Sequence, residues 1–225
     1  MGKVYFVAGI DTGIGKSVST GLMAKYLRSR GTDVITVKLV QTGNVGHSED
    51  IDLHREICGG ERFPEDDAGL TAPQIFKFPS SPELAARLEG KTVDLERISA
   101  CVRACAEQHE VVLVEAAGGL HVPLTRELLT IDFAAREKWP MILVTCGRLG
   151  SINHTLLSLE AAKNRGMTLA GVIYNYHPDA DPVINEDTPA RTMDYLKKWN
   201  LREVLIKVPA VSAPYPLIDF SEIFS

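Results

Sequence analysis

The sequence has no apolar run near 18 residues, which excludes a transmembrane helix. It has no run of lysine and arginine, and its net charge is −5. Affinity for a phosphate backbone needs clustered cations, so no nucleic-acid partner is expected. Cysteine is sparse: Cys58, Cys101, Cys105 and Cys146 form no Cys-x-x-Cys pair. Cys101, Cys105 and His109 are near enough in sequence to imagine a metal site. Small thiols on the apolar face of a helix explain the pair better, and reduced thiols fit a cytoplasmic setting. The six histidines, at 47, 54, 109, 121, 154 and 177, share no metal spacing and read as solvated or structural. Aromatics make up 7% of the chain and form no basic-aromatic stripe. Internal repeats, low-complexity tracts and interdomain linkers are also missing, so the 225 residues are expected to form one domain. Met1-Gly2-Lys3 leads straight into a strand-like run, so no secretory leader is expected. Phe6 stands where a myristoylation signal needs Ser or Thr.

The most informative stretch that is present is Gly9-Ile10-Asp11-Thr12-Gly13-Ile14-Gly15-Lys16-Ser17. It follows the apolar run Val4–Ala8 and precedes a helix-like run from Val18 to Arg30. A glycine-rich loop between strand and helix, ending in Gly-Lys-Ser, reads as a phosphate cradle. Backbone N–H groups and the positive end of the helix dipole face the anion. Lys16 is placed to reach the terminal phosphates and the Ser17 hydroxyl to ligate Mg²⁺. Five residues separate Gly9 from Gly15, one more than the common spacing.

Further strand-like runs occur at Val34–Val37, Val111–Val114, Met141–Thr145, Leu169–Tyr174 and Val204–Val208. Most are continuously apolar, as parallel strands buried on both faces require. Helical faces separate them, through Leu22, Met23 and Tyr26, through Leu95, Ile98, Val102 and Cys105, and through Ile152, Leu156, Leu159 and Ala162. This alternation predicts an α/β doubly wound, mostly parallel sheet of P-loop NTPase-like, three-layer type. Ligands of such sheets bind beyond the carboxyl ends of the strands. The irregular stretch from Gly59 to Pro82 and the loop Gly43–Asp50 are candidates to order around a ligand.

Three strands end in polar residues: Lys38, Glu115 and Asn175. A charge at the end of a buried strand is costly unless paired. Their common position, at the sheet edge that carries the phosphate loop, points to a site. Glu115 suits a hard cation such as Mg²⁺, and the acidic helix start Glu49-Asp50-Ile51-Asp52 offers a second carboxylate. Lys38 beside Lys16 would give two cations for phosphoryl transfer.

Together these motifs resemble the dethiobiotin synthetase family. That family has Gly-x-Asp-Thr-x-x-Gly-Lys-Thr/Ser, with the spacing found here. Its later motifs resemble Lys38-Leu39-Val40-Gln41-Thr42-Gly43, Asp50, Ser81-Pro82, Val114 to Gly119, Asp132-Phe133, Leu149 to His154 and Asn175. The likeness covers about residues 3–176 and is faint beyond Tyr176.

The resemblance implies an ATP- and Mg²⁺-dependent ligase of biotin biosynthesis. It would carboxylate 7,8-diaminononanoate with CO₂ and close the ureido ring through a carbamate and a carbamic–phosphoric anhydride. It implies Lys38, Lys16 and Thr12 as catalytic residues. Gly13, Ile14, Gly15, Lys16, Ser17, Val18, Asp50, Glu115, Gly118, Asn175 and Pro209 would bind ATP, with Asn175 reading the base. Thr12, Lys38 and Thr42 would contact the diamine. Gly150, Ser151, Ile152 and Asn153 would meet its carboxylate across a homodimer interface, and Ser17, Asp50 and Glu115 would hold Mg²⁺. Ala116 departs from the family's glycine, at a cost of about 1 kcal/mol if that position needs positive φ. Leu39 replaces a proline and Ile10 a threonine. Two other readings remain: a cobalamin-type amidotransferase ligase, whose glutaminase domain is not expected in 225 residues, and a partitioning-type ATPase switch, for which no lysine precedes Lys16 in the loop.

Overall fold

The apolar runs form the central sheet of a computed structural model that describes residues 1–176 and 181–225. His177 lies outside the described residues. The sheet comprises β1 (Lys3–Gly9), β2 (Val34–Lys38), β5 (Val111–Gly119), β6 (Met141–Cys146), β7 (Leu169–Asn175) and β8 (Leu205–Val208). Their order is β2-β5-β1-β6-β7-β8, and every pairing is parallel. All six expected strands are present and the doubly wound α/β fold is borne out. Val112, Leu113, Ile142, Leu143, Val172 and Ile173 are fully buried, because helices cover both faces.

The crossover helices are α1 (Lys16–Ser29), α5 (Leu95–Gln108), α6 (Thr130–Glu137), α7 (Ser151–Asn164) and α8 (Pro182–Lys198). Between β2 and α5 lie β3 (Gln41–Thr42), α2 (Glu49–Cys58), α3 (Pro64–Asp67), β4 (Ile75–Phe76) and α4 (Pro82–Leu88), and α9 (Ser221–Phe224) closes the chain. The stretch from Gly59 to Pro82 therefore carries a short helix and one strand of a small parallel β3–β4 pair. Among the described residues no helix is long and apolar enough to cross a membrane.

The helix starts differ in a way that matters for the site. Ser48, Ser81, Asp94 and Asp181 cap α2, α4, α5 and α8 through their own side chains. Helices α1 and α7 instead begin after Gly15 (φ 87°) and Gly150 (φ 90°), with no side-chain cap. The first-turn N–H groups of α1 keep their donor capacity for an anion, whereas in α7 Ser151 N donates to the Arg148 carbonyl at 2.9 Å and leaves the N–H groups of Ile152 and Asn153. The sheet order reverses direction at β1, between β5 and β6. That switch point places the loop into α1 in the crevice where such folds take ligands.

Candidate active site

The phosphate loop leaves the end of β1 and folds back on it. A Cβ at Gly9 would lie 2.7 Å from Lys16 Cδ, so glycine there lets the lysine stem pass close to the backbone. Lys16 is 6% exposed, and its Nζ donates to the Asp11 carbonyl at 2.7 Å. Burial, and then the nearby Lys38 cation, push its ammonium down to about 8. Asp11 is ion-paired with Arg148, which ties the loop to the approach of α7.

Parallel pairing of β2 and β5 sets Lys38 opposite Glu115. Lys38 Nζ lies 2.7 Å from Glu115 Oε1 and 2.6 Å from Asp50 Oδ2, and it also donates to the Ala116 carbonyl at 3.3 Å. Ser17 Oγ approaches Asp50 Oδ1 at 2.5 Å and Glu115 Oε1 at 2.9 Å. The hydroxyl has one proton, so it donates to one carboxylate at a time. Burial opposes the charge of Glu115, but the Lys38 ammonium and the His54 hydrogen bond hold its carboxyl well below the usual range. Burial likewise opposes the Lys38 charge, and the Glu115 and Asp50 carboxylates more than reverse it, raising its pKa. Two carboxylates and a hydroxyl converging within 3 Å form a hard-oxygen set of the kind a divalent cation takes.

These groups open into a cleft of 630 Å³ that is also lined by Thr12, Gly13, Gly15, Val18, Thr42 and Gly118. Gln41 and Ser80 to Pro82 form its far wall. A second cavity of 260 Å³ lies across the phosphate loop and holds Ile14, Asn175 and Pro209, together with Cys146, Tyr176 and Val208. The Asn175 amide is bound to the loop itself. Its Nδ2 lies 2.8 Å from the Ile14 carbonyl and 3.1 Å from Ser19 Oγ. Apart from the start of α7, the expected residues fall into two adjoining hollows that share the phosphate loop.

Gly150, Ser151, Ile152 and Asn153 line neither hollow. They form the start of α7, which has no side-chain cap and where Ser151 Oγ is buried with no hydrogen-bond partner among the described residues. Ala116 lies inside β5, fully buried, and is not among the residues of positive φ. The alanine therefore carries no backbone strain there.

One residue of the cluster was not anticipated. His54 is fully buried, not solvated, and its Nε2 lies 2.8 Å from Glu115 Oε2. Its spacing from Asp50, i to i+4 on α2, puts both on one helix face and was the available signal. His109, also set aside, contacts Asp33 at 2.9 Å and Glu65 at 3.3 Å, away from this cleft.

A profile of the AAA domain family matches residues 3–213. The chain is 46% identical over 200 residues to ATP-dependent dethiobiotin synthetase BioD 2 of Pasteurella multocida, covering 89% of this chain and 94% of that one. It is 46% identical over 181 residues to the BioD 2 protein of Haemophilus influenzae, covering 80% and 95%. With BioD of Chlorobaculum tepidum the identity is 43% over 202 residues, covering 90% and 84%. Among solved structures, pNOB8 ParA bound to nonspecific DNA superposes with a TM-score of 0.59 at 13% identity, covering 100% of this chain and 92% of that one. A ParA family ATPase from Chlorobium tepidum gives 0.53 at 16% identity, covering 94% and 86%. These two likenesses concern the fold alone. The matched relatives agree along most of their length and of this chain, and the protein belongs to the ATP-dependent dethiobiotin synthetase family.

Proposed function

We propose that this chain, as one ligase domain over residues 1–225, joins CO₂ to 7,8-diaminononanoate and closes the ureido ring of dethiobiotin while ATP becomes ADP and phosphate. The observation that carries this reading is the meeting of Lys38, Glu115, Asp50 and Ser17 beside the uncapped start of α1. One amine of the substrate takes up CO₂ and loses a proton to give a carbamate. A carbamate oxygen attacks the γ-phosphorus and ADP leaves. The second amine then attacks the carbonyl carbon, phosphate leaves, and the ring closes.

The residues divide this work by charge. Gly13, Ile14, Gly15 and Val18 present backbone to the phosphates, and Lys16 meets the negative charge that builds on the transferring group. Lys38, held low in the cleft by two carboxylates, binds the anionic carbamate and aligns it for attack. Thr12 and Thr42 hydrogen-bond the amine and carbamate ends, and Gly118 allows close approach of the γ-phosphate. Asn175 and Pro209 border the nucleoside. Ser17, Asp50 and Glu115 would hold Mg²⁺, which would neutralise phosphate charge when bound.

The far end of the substrate carries a carboxylate. The start of α7, which has no side-chain cap, suits such a group through the N–H groups of Ile152 and Asn153. It lies outside the cleft of its own chain, which supports a homodimer in which Gly150 to Asn153 serve the partner's site. Exposed Leu149 precedes that helix start, and exposed Leu157 lies in the second turn of α7.

The direct test follows dethiobiotin and phosphate together by mass spectrometry, with the diamine, bicarbonate, ATP and Mg²⁺ supplied. Equal amounts of both support the reading. Phosphate released without dethiobiotin would leave an ATPase with another substrate.

A further inference from the structure

Asp50 and Glu115 share the cation of Lys38, but the two oxygens of Glu115 have different surroundings. Oε1 faces the cleft, with Lys38 Nζ at 2.7 Å and Ser17 Oγ at 2.9 Å. Oε2 faces inward to His54 Nε2 at 2.8 Å. His54 is fully buried, and its other nitrogen, Nδ1, lies 3.0 Å from Thr36 Oγ1. Thr36 Oγ1 accepts from Arg55 Nη1 at 2.7 Å, and Arg55 is held by Asp66 through a fork of contacts at 2.9 and 2.8 Å.

The directions of these bonds follow from the donors available. Arg55 can only donate. With one lone pair of Thr36 Oγ1 occupied by Arg55, the hydroxyl proton points to His54 Nδ1; among the described residues it has no other acceptor. Nδ1 therefore accepts, and the ring proton sits on Nε2 and is donated to Glu115 Oε2. The chain Asp66–Arg55–Thr36–His54–Glu115 runs from the rear of β2 to the floor of the cleft.

We propose that His54 is a positioning residue that ties down Oε2 of Glu115 so that Oε1 alone is presented to a divalent cation in the cleft. Thr36 and Arg55 select the ring nitrogen that donates. A carboxylate fully buried on one side and facing a cation on the other rotates unless its rear oxygen has a donor, and rotation would bring both oxygens onto Lys38. His54 removes that freedom and lowers the reorganisation needed when the metal arrives. This inference rests on the metal reading given above.

The test titrates MnCl₂ into protein saturated with ADP and reads bound metal by electron paramagnetic resonance. ADP affinity without metal is measured in parallel. His54→Ala is expected to weaken Mn²⁺ binding about tenfold, with metal-free ADP affinity held within about twofold and His54→Gln recovering most of the loss through its own N–H donor. Thr36→Val, which puts a methyl in place of the hydroxyl and leaves Arg55 its fork to Asp66, is expected to weaken Mn²⁺ several-fold, about half the logarithmic loss of His54→Ala. It serves as the deciding variant if His54→Ala does not fold. Mn²⁺ affinity unchanged in the folded variants overturns the inference alone. Equal loss in His54→Gln and His54→Ala, at wild-type thermal stability, overturns the donor assignment and with it the inference. A wild-type ADP complex that takes up no Mn²⁺ overturns both this inference and the metal reading.

Discussion

Lys38 and Glu115 are 77 residues apart in sequence and are direct register partners on neighbouring parallel strands, with Nζ and Oε1 2.7 Å apart. Each is almost fully buried, so each depends on the other for charge balance. The second carboxylate, Asp50, arrives from α2 and leaves the group with more negative than positive charge before Lys16 is counted. The site thus has carboxylate charge to spare for a further cation, with the Lys38 ammonium buried between Glu115 and Asp50.

Replacing Lys38 by alanine removes the ammonium from two carboxylates. Turnover is expected to fall by about 10² to 10³, because the lost charge acts on the reacting groups. The affinity for ATP should change far less, since the phosphate loop is untouched. Breaking the buried pair should also lower stability by about 3 to 5 kcal/mol. Turnover equal to wild type would remove Lys38 from the reaction, and separate measurement of kcat, ATP affinity and melting temperature checks all three points.

The phosphate loop and Asn175 are in contact at Gly15. A Cβ on Gly15 would lie 2.5 Å from Asn175 Nδ2, and φ there is 87°. Gly15→Ala is expected to weaken ATP binding about tenfold or more, through strain and through the clash. Adding Asn175→Ala should return part of that loss, because the clash disappears while the strain remains. Calorimetric ATP affinities of the two single variants and the double variant test this. Strictly additive losses would mean that the two residues do not couple.

Asp66 carries a pH prediction. Burial opposes its charge, but the Arg55 fork and the Phe63 backbone bond outweigh burial and hold its carboxyl below 3.8. A depressed carboxyl stabilises the fold above its unfolded value and loses that contribution as pH falls through the folded value. Asp66→Asn should therefore cost about 3 to 5 kcal/mol near neutrality, leaving Arg55 buried without a counter-charge. Its stability should also fall less steeply than wild type below pH 3.8. Urea unfolding at a series of pH values measures both effects, and parallel acid limbs would contradict the assignment.

The start of α7 is expected to serve a second copy. Asn153→Ala should raise the KM for the diamine with little change in kcat. Mixing Lys38→Ala and Asn153→Ala chains should restore about a quarter of wild-type activity at diamine levels too low for either parent, because half of the sites in a mixed dimer are then intact. Activity no higher than the average of the two parents would argue for sites complete within one chain.

Much of this is legible in the sequence. The continuously apolar runs specified buried parallel strands, since only a doubly covered sheet can hide both faces of Val111–Val114 or Met141–Thr145. Gly15-Lys16-Ser17 after β1 marked the phosphate loop, because few other arrangements need glycines, a lysine and a hydroxyl in that order. Lys38, Asp50, Glu115 and Asn175 stood out as polar residues at strand ends or a helix start. Local pattern did not reach the way these groups combine. Which strand lies beside which is settled by crossovers and packing, so the contact of Lys38 with Glu115 follows from the order β2-β5-β1 and not from either neighbourhood in the chain. The same holds for His54. On its helix it is one histidine among six, and it gains a role only because β2 and β5 bring Thr36 to one of its nitrogens and Glu115 to the other. Local sequence decides backbone periodicity through short-range sterics and burial, whereas the hydrogen-bond partner of a buried polar group is chosen by whichever distant segment the fold delivers within 3 Å.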